Sequence, residues 1–120
     1  MSKEAHASVC GENCPNYQVI NEIRMDKQHD FELIQELSDT FKVFSDHTRL
    51  RIICTILNNE CTVSEICEAL QMNRTTISHQ LKVLRDTKLV KFRRDGRKVL
   101  YSLENPHIEQ IILQAFDHIL

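Results

Sequence analysis

The chain has 120 residues and a mass of 14.1 kDa, which at roughly 100 to 200 residues per domain allows one domain and excludes a large multidomain enzyme. Hydrophobic residues at 42%, charged residues at 27%, and two glycines with two prolines describe an ordinary globular chain, not a disordered or collagenous one. Fifteen basic against seventeen acidic residues leave a formal charge of −2, a total that taken alone argues against a nucleic-acid partner.

Met1 to Pro15 carries no apolar run of the kind a signal peptide needs, and no window approaches the ~18 apolar residues of a membrane span. The expected location is the cytoplasm, with no membrane partner. Five cysteines in a reducing compartment, an odd number, do not read as a disulfide framework; metal binding, thiol chemistry and core packing remain open.

Residues 1–28 have no sustained helical period and contain Cys10-Gly11-Glu12-Asn13-Cys14-Pro15, so they read as a flexible arm ahead of a domain over 29–120. From Phe31, the positions Leu33, Ile34, Leu37, Phe41 and Phe44 recur at three and four residues, one face of an amphipathic helix. Ser45-Asp46 stops that helix and caps the next, about His47 to Asn58, with Leu50, Ile53, Cys54 and Leu57 expected inside. Thr62-Val63-Ser64-Glu65 has the form of a capping box and opens a short helix to about Leu70. Gln71-Met72-Asn73 reads as a turn, and Asn73 caps a helix from Arg74 to about Thr87 that buries Ile77, Leu81 and Leu84. Two short helices joined by a tight turn are a helix-turn-helix.

The period then changes from 3.6 to 2. Leu89 to Arg94 and Arg97 to Leu103 are strand-like runs joined at Asp95-Gly96, a hairpin signal, and a hairpin directly after the second helix is a wing. Asn105-Pro106 opens a last helix with Ile108, Ile111, Ile112, Ala115 and Ile119 on one face. The predicted fold is mainly α with a β-hairpin, a winged helix-turn-helix.

Charge patterning reverses the inference from the total. Arg74 to Lys98 holds nine basic and two acidic residues, an excess of seven, which leaves −9 on the remainder to reach the total of −2. A basic patch on a helix-turn-helix and wing is what phosphate binding requires. Thr75, Thr76, Ser78, His79 and Lys82 lie off the apolar stripe of the second helix and can reach phosphates or base edges, with Arg93, Arg94, Arg97 and Lys98 on the wing. The predicted partner is double-stranded operator DNA.

Asp46-His47-Thr48-Arg49-Leu50-Arg51, Cys61-Thr62-Val63-Ser64-Glu65-Ile66, Thr76-Ile77-Ser78-His79-Gln80-Leu81 and Gly96 to Leu103 together resemble the ArsR/SmtB family of metal-responsive repressors, over about residues 31–120. The resemblance implies a homodimer, not an enzyme, that represses a promoter until an inducer binds. The inducer is most often a metal ion, here zinc or a soft metal such as Cd, Pb or As(III). It also implies that the helix holding Ser78 and His79 is the reader.

Two places could hold the ion. His107 and His118, eleven residues apart, share a helix face but stand about 16.5 Å apart along the axis, too far for one ion with bonds of about 2 Å. Antiparallel pairing across a dimer axis would bring His107 of one chain to His118 of the other. The family places such a site on its last helix with two histidines and two carboxylates; here one carboxylate position is Asn105 and the other falls beyond Leu120.

The second place is Cys10-x3-Cys14, which resembles the paired arm cysteines of soft-metal members. Their partner cysteines correspond to Thr62 and Ser64, so Cys61 becomes the candidate third ligand, before a helix N-terminus whose dipole would lower its pKa. Cys67 and Cys54 read as packing residues. The competing reading of the same fold makes the thiols a redox or persulfide switch. A small cysteine hydrolase would need a nucleophile, base and oxyanion donors, and no such arrangement surrounds any cysteine.

Overall fold

The computed structural model of the chain describes residues 27–120. Cys10 and Cys14, and with them most of the expected arm, lie outside the described residues. Helix α1 spans Lys27–Phe44. Within Lys27–Asp39, Phe31, Ile34 and Leu37 are 52 to 70% exposed.

Thr40–Leu120 form one compact unit. Helix α2, His47–Thr55, starts where the Asp46 carboxylate accepts the Arg49 amide at 3.0 Å. Helix α3, Val63–Leu70, starts on the capping box read from the sequence: the Glu65 amide donates to Thr62 Oγ1 at 3.2 Å and the Thr62 amide donates to Glu65 Oε1 at 2.8 Å. Gln71, at φ +56°, turns the chain through the left-handed region, and Asn73 then caps helix α4, Arg74–Asp86, by accepting the Thr76 amide at 2.8 Å.

The end of α4 aims the wing. Lys88 takes φ +60°, its amide donates to the Arg85 carbonyl, and the Leu89 amide donates to the Leu84 carbonyl, both at 2.9 Å. That pair of bonds is the Schellman ending, here with Leu84 and Leu89 both buried. Strands β1, Val90–Asp95, and β2, Lys98–Leu103, pair antiparallel from Val90↔Leu103 to Asp95↔Lys98. The two-residue loop is therefore Gly96-Arg97 and not Asp95-Gly96, with Gly96 at φ +63° in the first central position, where a side chain would be strained. Cys61 adds an edge to the sheet through two backbone bonds with Tyr101, at 3.0 and 2.8 Å. Helix α5, Pro106–Ile119, begins where Asn105 accepts the amides of His107 and Ile108.

The core is built from Ile52, Ile53 and Ile56 around α2, Ile66, Ile77, Leu81, Leu84 and Val90, all at most 2% exposed, joined by Ile108 and Ile112 of α5. The stripe expected on α2 is shifted. Ile52 and Ile56 are fully buried while Leu50, Cys54 and Leu57 only pack against the core's edge, because α2 touches both α3 and α4 and needs a broader apolar face. On α5, Ile111 and Ile119 of the expected face remain 40% and 75% exposed. No helix among the described residues is long and apolar enough to cross a membrane.

Candidate nucleic-acid interface

Helix α4 has two faces with different tasks. Ile77, Leu81 and Leu84 are at most 1% exposed and fix it to the core. Thr75, Ser78, His79 and Lys82 point outward, with Thr76 half-buried between them. Two polar ties hold its flanks: Arg74 Nη1 donates to Ser64 Oγ at 3.1 Å, and Arg49 Nε donates to Gln80 Oε1 at 2.9 Å. Arg49 and Gln80 are 31 residues apart, and spacing alone gives no signal for their contact. Lys82 keeps only a loose exposed pair with Asp86 at 3.6 Å, so its charge stays available to a phosphate.

The wing continues this basic surface. Arg94, Arg97 and Lys98 are exposed at its far end. Phe92 meets Tyr101 at 5.8 Å between ring centroids, and the Arg85 guanidinium lies 4.9 Å over the Phe92 ring, which ties the wing to α4.

Arg93 is placed differently from its neighbours. Its Nε donates to Glu60 Oε2 at 2.7 Å and its Nη2 to Glu60 Oε1 at 2.8 Å, a two-pronged carboxylate contact. The guanidinium holds the Glu60 carboxyl below its ordinary pKa, and the carboxylate in turn raises that of Arg93. Sequence reasoning groups Arg93 with the DNA contacts and overlooks Glu60, an isolated acid 33 residues away.

The described candidate ligands Cys61, His107 and His118 are not gathered into one group. Among the described residues, no three His, Cys, Asp or Glu side chains form a group able to hold a metal ion. His107 and His118 are exposed near opposite ends of α5. Cys61 corrects the expectation of an activated thiol: it is 9% exposed, its Sγ lies 3.9 Å from the Thr55 carbonyl, and burial, aided by the Glu65 charge, pushes its pKa up. The helix dipole acts on groups in front of the first turn, whereas the Tyr101 bridge turns this side chain into the core. Its candidacy as a third ligand therefore loses its local basis. Thr62 and Ser64 are likewise occupied, one as the cap of α3 and the other accepting from Arg74. Cys67 and Cys54 are partly buried against the core, and burial raises the Cys54 pKa. The described residues of one protomer thus do not fit a metal ion by themselves.

A helix-turn-helix whose second helix turns a polar face outward, followed by a basic two-stranded wing, defines a winged helix-turn-helix DNA-binding protein. Residues 46–91, from the cap of α2 into the wing, match the family described as bacterial regulatory protein, arsR family. The chain is 34% identical over 85 residues to a transcriptional repressor SmtB homolog of Synechocystis sp., which covers 71% of this chain and 64% of that protein, just under two thirds of its length. It is 32% identical over 84 residues to a cadmium resistance transcriptional regulatory protein CadC homolog of Staphylococcus aureus, 69% of each. It also resembles the solved homodimeric winged helix-turn-helix DNA-binding domain of a possible ArsR-family regulator from Mycobacterium bovis, with a TM-score of 0.66 and 26% identity, over 75% of this chain and 87% of that one. The chain belongs to the ArsR/SmtB family, whose members are transcriptional repressors and not enzymes.

Proposed function

We propose that the chain is a cytoplasmic, metal-responsive repressor that binds operator DNA as a homodimer. The observation that carries the DNA reading is the outward set Thr75, Ser78 and His79 on a helix locked to the core, beside the exposed Arg94, Arg97 and Lys98 of the wing. Short side chains at the front of α4 reach base edges, and the wing cations neutralise phosphates. The family supports a dimer, and so do exposed apolar side chains: Phe31, Ile34 and Leu37 on α1, and Ile111, Phe116 and Ile119 on α5. A two-fold dimer presents two copies of α4 to major grooves about one helical turn apart.

The names of the SmtB, CadC and arsenical-resistance relatives support a metal as inducer. A zinc or soft-metal ion would supply a centre joining donors of two protomers. The residues offered are Cys10 and Cys14, and His107 with the His118 of a second protomer. Binding to the dimer form whose reading helices are poorly spaced lowers DNA affinity by favouring that form.

The test is fluorescence anisotropy on a labelled duplex selected by the full chain from a random pool, with added zinc or cadmium chloride. The proposal expects affinity to fall with metal and to return with EDTA. Loss of that response in Cys10→Ser/Cys14→Ser assigns the arm; loss in His107→Ala/His118→Ala assigns α5. If EDTA changes nothing while a thiol oxidant abolishes binding, the metal reading is wrong and a redox or persulfide switch replaces it.

A further inference from the structure

Strand β1 is the outer edge of the wing, and beyond Val90 every residue of it is exposed. A two-stranded ribbon is marginal by itself, so its direction depends on what grips its faces. One face carries Phe92, which sits on Tyr101 beneath the Arg85 guanidinium. The strand also borders an open cleft of about 640 Å3, whose lining includes Leu57, Glu60, Lys91, Phe92, Arg93 and Glu104. Glu60 reaches across that cleft to Arg93 with both carboxylate oxygens. Its own position is fixed, because the next residue, Cys61, is bonded to Tyr101 in both directions.

Resting on the DNA-binding reading above, we propose that Glu60 and Arg93 are positioning residues. They form a strut that clamps β1 from the cleft side and sets the angle at which Arg94, Arg97 and Lys98 meet the phosphates. Arg93 itself is not a phosphate contact. Two arguments separate it from the other wing cations. The Glu60 carboxylate at 2.7 Å already occupies the guanidinium edge that a phosphate would otherwise take. Two of its fork donors are also committed along one edge, a geometry that specifies direction as a lone lysine contact does not.

The experiment measures the affinity of the full chain for the selected duplex across a salt series, in Glu60→Gln, Arg93→Gln, the double variant, and the charge swap E60R/R93E. The strut predicts that both single variants weaken binding alike, by up to about fivefold per protomer, the order of an exposed pair's coupling. The double variant is no worse than either single one, and the swap restores most of the loss. The slope of log affinity against log salt stays close to wild type throughout.

A phosphate contact at Arg93 predicts otherwise: Arg93→Gln and the swap both lower the slope by about 0.9 per protomer, and Glu60→Gln tightens binding by freeing the guanidinium. That result, or no effect of either single variant, overturns the proposal. Failure of the wild-type chain to bind any selected duplex would instead remove the DNA reading beneath it. Thermal melting of each variant separates wing geometry from loss of fold.

Discussion

Replacing Ile77 by valine removes one methylene from the inner face of α4 and leaves its outer face untouched. Ile77 is 0% exposed and stands between Thr76 and Ser78, so the same three residues sample both faces of the reader. A buried Ile→Val change costs about 0.5 to 1.5 kcal/mol through lost transfer energy and an incompletely closed cavity. For a domain of this size each kcal/mol lowers the melting temperature by about 4 to 8 °C. The expected drop is therefore several degrees in far-UV circular dichroism at fixed protein concentration, which must be held constant if the folded form is a dimer. DNA affinity, measured well below the melting transition, stays within about twofold of wild type, since no outward atom changes. An Ile77→Val chain that melts like wild type yet loses DNA affinity would refute the division of α4 into an anchoring and a reading face.

The Glu65 carboxylate accepts the Thr62 amide at 2.8 Å, and that bond, with the Thr62 side chain beside it, holds the carboxyl below the ordinary 4.5. A depressed folded pKa contributes stability that is present above the unfolded value and lost as pH falls through the folded one. Urea unfolding should accordingly show wild type more stable than Glu65→Gln at neutral pH, with the gap closing below pH 4.5. Thr62→Ala, which removes the cap oxygen, should cost about 1 kcal/mol at neutral pH by the same assay. Cys61, buried and with a raised pKa, should resist a thiol reagent at neutral pH until the chain is unfolded; rapid labelling of the native protein would contradict its placement in the core. At the wing's end, Arg97→Ala and Lys98→Ala should each flatten the salt dependence of DNA binding by about 0.9 per protomer and leave melting unchanged; an unaltered slope would remove them from the interface.

The helices were legible because their signals are local. Asp46, Thr62, Asn73 and Asn105 each cap a helix through an amide two or three residues away, and apolar spacing places Ile77, Leu81 and Leu84 inside. The wing was legible from its period, although the loop fell one residue later because pairing of Asp95 with Lys98 gives Gly96 the position that needs positive φ. What stayed hidden depends on distant partners. Burial of Cys61 beside the Tyr101 bridge reverses the expected sign of the thiol's shift, and Glu60 pairs with Arg93 from 33 residues away. Burial of Ile52 and Ile56 likewise reflects neighbours on two sides of α2, which a single-face period cannot register. The near-neutral total of −2 was misleading for a related reason, since it averages a basic interface with an acidic remainder.

In the proposed repressor, α4 reads DNA through Ser78 and His79. The direct measurement is the anisotropy affinity of Ser78→Ala and His79→Ala for the selected duplex, alongside melting and sedimentation of the same preparations. The account predicts weakening by about 1 to 3 kcal/mol for a residue that touches a base edge, with the fold and assembly of the wild-type chain retained. Wild-type affinity in both variants would contradict it.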